Sequence, residues 1–346
     1  GKRAEVGPGS AVFGKVKAKQ HWAGSPAEKI GKAEHPWPAE HPPRKPYWVF
    51  VYGVSSVLLA GLPMVAIGAG LALLGWIVRD DSNLKEGALH ALPALPIAVI
   101  ISLTVYALLT LIAVRLLAIG LKPGYHAVRS RVGWQVWATE RLMDAARTFL
   151  FPLYASLLTP IWFRMLGTKV GKDAEISTAM VIPKFTTIGD GSFLADDTMV
   201  GSYELGGGWM RIDEAKIGKR AFLGNSGMAA PGRKVPKRGL VAVLSAAPAK
   251  AMKAKSGTSW LGSPPVKLRR ESSKTDDSRT FRPARKLRVA RALVELCRVV
   301  PVLLGFGLCV AVAALLGKRE VGEATPPAPE RAVAGLKQDV ETLKGN

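Results

Sequence analysis

The stretch VGKDAEISTAMVIPKFTTIGDGSFLADDTMV, residues 170–200, has an aliphatic residue at every sixth position. Ordinary antiparallel strands alternate apolar and polar residues in twos, so a period of six is not theirs. It is typical of a hexapeptide left-handed parallel β-helix, in which each hexad forms one short strand and one turn. The series resumes after one interruption, and its members are Val170, Ile176, Ile182, Ile188, Leu194, Val200, Ile217, Leu223, Ala229, Val235 and Val241.

Glycine often follows the aliphatic position of this series, where the strand must end in a turn. Since glycine adopts positive φ most readily, we expect these glycines to form the corners of the coil. The interruption, GSYELGGGWMRIDEAK at residues 201–216, leaves the spacing one residue short of three hexads. Irregularities in solenoids map to loops on one face, often the binding face, and the triple glycine predicts a flexible loop. In that loop Trp209 either caps a ligand or packs back on the β-helix. The glycines in question are Gly171, Gly189, Gly201, Gly218 and Gly224.

The signature Trp-x-Gly-Ser-Pro occurs twice, as WAGSPAEKIGK from Trp22 and as WLGSPPVKLRR from Trp260. A stacked β-helix exposes the core of its last coil and therefore needs a cap. We expect each tryptophan ring to cover such a core while Gly-Ser-Pro turns the chain away. Residues 166–270 are then one β-helix with its cap, and residues 1–30 are the end of an earlier one. The chain is therefore expected to be a piece of a longer protein.

Charge and hydrophobicity together predict a membrane protein. The chain carries 48 Lys and Arg against 26 Asp and Glu, yet 48% of its residues are hydrophobic and its mean hydropathy is +0.16. Basic loops around apolar spans explain that combination. Uncharged runs at residues 47–78, 87–114 and 299–317 are long enough to cross a bilayer, for which roughly 20 residues suffice. No nucleic-acid motif accompanies the charge, so we expect the lipid bilayer, and no nucleic acid, as a partner.

The orientation follows from where the basic residues lie. Lys and Arg concentrate before the first span, after the second and before the third, which predicts a multi-pass protein with cytoplasmic residues 1–46 and 120–295. Residues 148–163 are too short for a fourth crossing and favour an interfacial segment. The predicted order is β-helix end 1–30, linker 31–46, transmembrane hairpin 47–120, amphipathic interfacial segment 121–165, β-helix 166–270, basic linker 271–295, third transmembrane helix 296–318 and flexible tail 319–346.

The charge within the β-helix sequence is lopsided. Every acid between residues 170 and 270 precedes Ala215, whereas Lys and Arg continue after it. The acidic half is suited to binding a cationic amine beside a base, and the basic half to a carrier phosphopantetheine or to anionic lipid headgroups. The eight acids are Asp173, Glu175, Asp190, Asp196, Asp197, Glu204, Asp213 and Glu214.

Particular side chains follow as candidates for that chemistry. Glu204, in the interruption, is the best candidate for a base. Asp196 and Asp197 either bind an amine or only hydrogen-bond within a turn. Asn225 and Ser226 lie at a predicted corner, where asparagine tolerates left-handed φ, or they orient an acyl carbonyl. The candidates are, for catalysis, Glu204, Asp197, Asp196, Asn225 and Ser226, and for substrate binding, Tyr203, Trp209 and Arg233.

Histidine and cysteine are scarce, which restricts the chemistry. No histidine follows His126, so zinc held by three histidines is excluded, and we predict no metal site. Cys297 and Cys309 lack the spacing of a zinc site or a disulfide framework and are expected to be small buried apolar residues. Amide formation from a thioester needs no enzyme nucleophile, because a free amine attacks directly and positioning supplies much of the acceleration.

Three longer stretches resemble the carboxy-terminal membrane region of ε-poly-L-lysine synthetase-type non-ribosomal peptide synthetases. They are FLADDTMVGSYELGGGW (193–209), KRAFLGNSGMAAPGR (219–233) and SWLGSPP (259–265), and the resemblance extends over roughly residues 1–317. It implies tandem acyltransferase-like domains that join a carrier-bound aminoacyl group to a free amine, such as a free amino acid. Because this sequence contains no adenylation or peptidyl carrier domain, the resemblance implies both as partners. The carrier would deliver phosphopantetheine, and the chain itself is expected to bind no cofactor.

Two functions therefore stay open at the level of the sequence. The first is an amide-forming acyltransferase-like module of a peptide synthetase. The second is a non-catalytic module that anchors and oligomerises a synthetase at the membrane, which the missing histidine and the missing partner domains favour. A homo-oligomer is compatible with either function, because β-helices of this type often associate through their flat faces.

Overall fold

The computed structural model describes residues 1–7, 9–34, 36–81, 83–269 and 283–324, with the backbone alone at 84, 85 and 313–324. The chain divides into two units. One holds Gly1–Ala69 and Ile101–Cys297, and the other holds Gly70–Ile100 and the chain after Cys297. Among the described residues, three helices are long and apolar enough to cross a membrane.

The N-terminal residues form a small three-stranded sheet, and two long helices follow it. Strand β1 pairs with β2 in parallel, and β2 pairs with β3 in antiparallel. Helix α1 ends one residue before the end of its uncharged run, whereas α2 extends three residues beyond its run at each end. The elements are β1 (Glu5–Val6), β2 (Gln20–Ala23), β3 (Glu28–Lys32), α1 (Tyr47–Ile77) and α2 (Leu84–Leu117).

A short strand and two helices, β4 (Gly124–Ala127), α3 (Arg131–Phe149) and α4 (Thr159–Leu166), connect the second long helix to the β-helix. The Ser130 hydroxyl caps α3 by accepting a hydrogen bond from the backbone N–H of Gly133 at 3.2 Å. Trp162, Phe163 and Leu166 of α4 are buried in the same core cluster as the inward residues of the β-helix. This helix therefore forms the floor on which the coils are stacked.

The coils are built from very short strands in three parallel sheets. Each strand pairs with the equivalent strand of the next coil, in the orders β5-β8-β13-β16, β6-β9-β14-β17-β18 and β7-β10-β15, with β19 antiparallel to β18 and with β11 and β12 outside the coils. The strands are β5 (Lys169–Val170), β6 (Glu175–Ile176), β7 (Met180–Val181), β8 (Thr186–Ile188), β9 (Phe193–Leu194), β10 (Met199–Val200), β11 (Glu204–Gly206), β12 (Trp209–Ile212), β13 (Ala215–Ile217), β14 (Phe222–Leu223), β15 (Met228–Ala229), β16 (Lys234–Val235), β17 (Leu240–Val241), β18 (Ser259–Leu261) and β19 (Val266–Leu268).

The aliphatic series of the sequence forms the core of the β-helix, with one exception. Leu194 and Leu223 are 0% exposed at its centre. Ile182 does not point inward, because Val181 occupies that place in β7 and a 3₁₀ turn, Pro183–Phe185, follows before the next strand. Ile182 is instead buried in a second cluster together with Phe185. The local phase therefore slips by one residue in the first coil and recovers in the second.

The glycines after the aliphatic positions serve close packing rather than positive φ. A Cβ at Gly218 would lie 2.6 Å from the backbone nitrogen of Lys237 in the next coil, and one at Gly189 would lie 2.6 Å from that of Lys219. Of the five predicted corner glycines, Gly201 has positive φ, at 69°. The left-handed corners are otherwise formed mostly by other residues, including Asp173, Asp197, Arg220, Ser226, Arg238 and Leu244.

Both copies of the tryptophan signature form the same local structure. The backbone N–H of Gly262 donates to the Ser245 hydroxyl at 2.8 Å, and that of Gly24 donates to the Ser10 hydroxyl at 3.1 Å. The Ser-Pro peptide bond is cis in both copies. Trp260 is 5% exposed and closes the last coil of the β-helix.

Two predicted boundaries near the C-terminus are wrong. Part of the predicted basic linker is a helix, α5 (Arg285–Leu296), and a further helix, α6 (Val299–Ala324), runs beyond the predicted start of the flexible tail at residue 319. Cys297 and Cys309 are exposed rather than buried, because they lie on the outer surface of these helical segments. The predictions for residues 271–282 and 325–346 lie outside the described residues.

Candidate functional site

The interruption of the hexads is a β-hairpin, not a flexible loop. Strands β11 and β12 are antiparallel and are joined by Gly207 and Gly208, whose φ values are 59° and 86°. A two-residue hairpin turn of this kind requires positive φ, which explains the glycines. Strand β12 also pairs with β4, so the hairpin is the edge of a three-stranded sheet in the order β11-β12-β4. The ligand-binding loop of the prediction is therefore a rigid extension of one corner.

A segment from the first linker, which we call the strap (residues 36–42), lies over this hairpin. The indole of Trp37 occupies the space that a side chain at Gly206 would need. The Trp209 indole N–H donates to the backbone carbonyl of Glu40 at 2.9 Å. Trp209, predicted to contact substrate, is therefore engaged by the strap in this structure.

Glu204 faces an arginine across the hairpin. Its Oε2 lies 3.0 Å from Nη1 of Arg211, its cross-strand neighbour, and Nη2 of the same guanidinium lies 3.8 Å from Oδ2 of Asp213. The guanidinium occupies lone pairs that a general base would use. In this structure Glu204 is suited to charge pairing rather than to proton abstraction.

A cavity of about 580 Å³ opens at the base of the hairpin, between its returning strand and the excursion at residues 248–258. We call this cavity the mixed-charge groove. One end carries carboxylates, and the remainder is lined by basic side chains from the third and fourth coils and from the excursion. The charged residues are Asp213, Glu214, Lys216, Arg233, Lys234, Lys237, Lys250 and Lys253.

The carboxylates of the groove differ in how strongly they are engaged. Glu214 Oε2 lies 2.5 Å from Nζ of Lys216, and this hydrogen bond lowers the pKa of the Glu214 carboxyl. Asp213 accepts the backbone N–H of Glu214 at 2.8 Å, and its side chain is 41% exposed. With the Arg211 guanidinium no nearer than 3.8 Å, Asp213 is the less constrained of the two.

Arg233 connects the groove to the hairpin. Burial lowers the pKa of its guanidinium, and the negative charge of Glu204 acts in the opposite direction. Its Nη1 is 3.5 Å from the carbonyl of Ala247, so the side chain is turned toward the coil that carries the excursion. The structure thus brings together two of the predicted site residues, Glu204 and Arg233.

Tyr203 lies at the start of the hairpin but is turned away from the groove. Its hydroxyl donates to Oε2 of Glu140 in α3 at 2.7 Å, and its ring packs against the second hydrophobic cluster. Burial first, and the Glu140 carboxylate second, raise the pKa of the Tyr203 hydroxyl. Tyr203 therefore holds the hairpin against α3 instead of contacting the groove.

Asp196 and Asp197 lie at a different corner of the coil from Glu204. Asp196 accepts hydrogen bonds from Ser177 and, at 3.3 Å, from Thr178 in the preceding coil. Asp197 has φ 53° and an ion pair of 2.6 Å with Arg147 of α3. Asp196 thus hydrogen-bonds to the preceding coil, and Asp197 forms an ion pair with α3.

Asn225 and Ser226 lie at that same corner one coil later. Ser226 has the positive φ, at 52°, and its backbone N–H donates to the carbonyl of Asp196 at 2.8 Å. The expected left-handed conformation of Asn225 is wrong, because the turn places its strained residue one position later. The backbone carbonyl of Asn225 accepts the N–H of Leu244 at 2.9 Å, which continues the ladder of turns.

The structure therefore sorts the candidates between two corners. Glu204, Trp209 and Arg233 lie at the corner with the hairpin, whereas the four other catalytic candidates form stacked turns elsewhere. Sequence reasoning missed Arg211 and the strap. Alternating residues on both sides of the triple glycine were the available signal for a hairpin, but nothing in the sequence indicated its pairing with β4.

No metal site is found among the described residues, since none of their His, Cys, Asp and Glu form a group of three or more that could bind an ion. His126 lies in β4 beside Met210 of the hairpin, and its Nε2 is 2.9 Å from the backbone carbonyl of Lys122.

This chain is similar in sequence to a poly-ornithine synthetase. No family model matches the sequence. The chain is 34% identical over 308 residues to the δ-poly-L-ornithine synthetase of Acinetobacter baumannii (strain AB307-0294), a match that covers 83% of this chain. The chain spans about 22% of the length of that relative.

The solved structures that this chain matches include several acyltransferases. A hexapeptide-repeat-containing acetyltransferase of Vibrio cholerae matches 39% of this chain and 92% of its own at 13% identity, with a TM-score of 0.28. Soybean serine acetyltransferase matches 64% of this chain and 96% of its own at 12% identity, with a TM-score of 0.23.

Proposed function

We propose that this chain is a membrane-embedded acyltransferase-like module of a non-ribosomal peptide synthetase of the ε-poly-L-lysine synthetase type, built on a left-handed β-helix. It forms an amide between an aminoacyl thioester held by a peptidyl carrier domain and a free amine. The mixed-charge groove carries the proposal, because one cavity offers carboxylates to a cationic amine and lysines to an anionic arm. The sequence similarity to a δ-poly-L-ornithine synthetase supports it.

The basic wall of the groove fits the arm of the donor. Lys234 and Lys237 line the cavity and form no ion pair with any of the described residues, so their ammonium groups are available to an anion. Phosphopantetheine, delivered by the carrier, has a phosphate that these lysines would hold, and when bound it supplies the thioester. This chain would therefore contribute side chains to bind the phosphate, while the carrier brings the phosphopantetheine itself.

The position of this wall favours a soluble acidic carrier over a lipid headgroup. The first coil packs on α4, and the same core cluster includes residues of α1 and α2, whereas the lysines belong to the third and fourth coils. The basic surface is therefore at the end of the β-helix away from the membrane-facing floor. We place this end in the cytoplasm, where the adenylation domain loads the carrier.

The carboxylates of the groove bind and deprotonate the amine. Asp213, the less constrained of the two groove acids, accepts one proton from the ammonium, while the pair formed by Glu204 and Arg211 fixes the hairpin beside it. The neutral amine attacks the thioester carbonyl carbon, the carbon–sulfur bond breaks, and the thiol leaves with a second proton from the nitrogen. Holding both substrates in one cavity makes the step effectively unimolecular.

Amide formation by the full chain in detergent tests this function. Carrier domains loaded with lysine or ornithine serve as donors and free lysine as the acceptor, and the product is measured by mass spectrometry. Asp213→Asn is expected to lower the rate about 100-fold or more by removing the proton acceptor. The matched control is Asp196→Asn, the same change at the other corner, which leaves the rate close to that of the unchanged protein. Equal losses in both variants would contradict the assignment of the groove.

The ion pairs that Glu204 and Glu214 form favour a second function, that of a non-catalytic anchor. Glu204 and Glu214 each have a cation within 3.0 Å, so neither is free to act as a base. For an anchor, folded protein would bind the loaded carrier but form no amide with any donor. Cross-linking would then report whether the chain assembles as a homo-oligomer.

A further inference from the structure

Helix α5 turns its charged face toward the protein. Arg288 lies 3.5 Å from the carboxylate of Asp173, and Arg291 lies 3.2 Å from that of Glu175, both in the first coil. Glu295 accepts the backbone N–H of Leu157 at 2.9 Å, just before α4. Nε of Arg291 also lies 2.8 Å from Oε1 of Glu295, one turn further along α5. These contacts fix the helix to the floor of the β-helix.

The opposite half of α5 is apolar and exposed. Residues 288, 291 and 295 follow the spacing of one helical face, so the remaining apolar residues point away from the protein. A helix on the surface of a soluble protein has the reverse arrangement, with charged residues outward. The outward side chains are Leu287 at 64% exposure, Val289 at 53%, Leu293 at 60%, Val294 at 70% and Leu296 at 64%.

Helix α4 and the turn before it continue this surface. One face of α4 is buried on the first coil, and the other has Ile161 and Met165 exposed by 49% and 46%, four residues apart. Leu158 and Phe151, in the turn before α4, are 53% and 50% exposed. Together with the outward half of α5, these residues form what we call the apolar shelf. Soluble monomers rarely expose contiguous apolar patches beyond a few hundred Å².

The chain around the shelf identifies its occupant. Helix α6 begins three residues after α5 ends. The third candidate span, Arg285–Val312, takes in α5 and the first part of α6, so the outward face of α5 is continuous with membrane-spanning sequence. Arg285 and Lys286 stand at the other end of α5, where basic residues meet lipid headgroups. We infer that the apolar shelf lies in the headgroup and upper acyl region of the bilayer, and that the ion pairs of α5 hold the β-helix against that surface.

Nitroxide accessibility in the full chain, reconstituted in phosphatidylcholine–phosphatidylglycerol vesicles, tests this inference. After Cys297→Ser and Cys309→Ser, a single label is placed at Ile161, at Leu293, or at the control Val243, which is 57% exposed on the fourth coil. We expect the ratio of oxygen to nickel-chelate collisions to be several-fold higher at the two shelf positions than at Val243. All three side chains are exposed, so labelling removes little packing, and Leu158→Cys provides a second position beside α4.

Two results would overturn the inference. One is a collision ratio at both shelf positions equal to that at Val243, which would mean that the shelf faces water. The other is spin–spin broadening at Leu293 that disappears on dilution with unlabelled protein, which would mean that a second copy covers the shelf. Neither result depends on the catalytic proposal, because the experiment measures no activity.

Discussion

Replacing Gly218 by alanine should loosen the β-helix, although alanine is the better residue for an ordinary strand. The added methyl would lie 2.6 Å from the nitrogen of Lys237, 2.7 Å from the carbonyl carbon of Pro236 and 2.8 Å from the carbonyl oxygen of Val235. All three are backbone atoms of the next coil and cannot rotate away. The backbone N–H of Gly218 also donates a hydrogen bond to the backbone carbonyl of Val235 at 2.9 Å, and separating the coils would stretch that bond.

The magnitude follows from opposing contributions. Overpacking of this kind destabilises by about 1–3 kcal/mol, and a weakened hydrogen bond by up to about 1 kcal/mol. Alanine also lowers the conformational entropy of the unfolded chain, which offsets about 0.4–1 kcal/mol of this destabilisation. The net loss is about 1–3 kcal/mol, which corresponds to about 5- to 150-fold faster opening.

Hydrogen exchange followed by mass spectrometry measures this opening in the peptides that cover residues 216–241. The matched control is Gly14→Ala, because no atom lies within 4 Å of a Cβ at Gly14 and its φ is not positive. Exchange in the Gly218 variant that is as slow as in the control would refute the reasoning, since the coils would then accommodate the methyl group.

Three further outcomes are expected. Trp260→Ala should lower the free energy of unfolding by about 3–5 kcal/mol, because it opens the core of the last coil; a urea titration measures this, and no shift relative to Trp76→Ala, a change at a 68% exposed ring, would contradict the capping role. Tyr203→Phe should flatten the loss of stability in alkali: a raised folded pKa gives stability that is present below the unfolded pKa, about 10, and is lost as pH rises through the folded value. Thermal midpoints measured between pH 8 and 11 test this, and parallel curves for the two proteins would argue against it. Arg147→Met should speed hydrogen exchange at residues 177–180 only modestly, because Asp197 is 64% exposed and an exposed ion pair contributes little. The free energy of protection is expected to fall by about 0.5–1 kcal/mol. Unchanged exchange would mean that the ion pair contributes nothing.

The hexad series could be predicted because its cause is local and repeated. Every coil needs one inward aliphatic side chain for each strand, so the period appears directly in the sequence. Ile182 is misassigned because the 3₁₀ turn at Pro183–Phe185 changes the phase locally while both candidates, Val181 and Ile182, are aliphatic. Both residues are buried, and the choice between them depends on which cluster each side chain reaches.

The site was harder to predict because its contacts are distant in sequence. The ion pair between Glu204 and Arg211 requires the hairpin, and the hairpin is fixed by β4, about 80 residues earlier in the chain. The strap over Trp209 comes from still further away. Periodicity carries no information about such pairings. The sequence therefore located the interruption correctly but did not predict which partners Glu204 and Trp209 would contact.

The glycines show a different limit of sequence reasoning. Their regular positions were visible, but a glycine chosen for positive φ and one chosen for close approach are identical in the sequence. Residues with side chains, such as Arg220 and Arg238, adopt the left-handed corners instead. Bonds between coils stabilise this conformation: the backbone N–H of Arg220 donates to the carbonyl of Asp190 at 2.8 Å, and that of Arg238 donates to the carbonyl of Lys219 at 2.9 Å.

The chain leaves the coils at one corner in two places, at the hairpin after Val200 and at the excursion after Ala247. In the first case it returns in β13, which pairs in parallel with β8 of the preceding coil. An insertion at this corner can therefore change in length or composition without altering the inward residues that stabilise the scaffold. Such a corner can exchange one excursion for another while the hexads stay the same. The hexads and the excursions should accordingly accumulate substitutions at different rates.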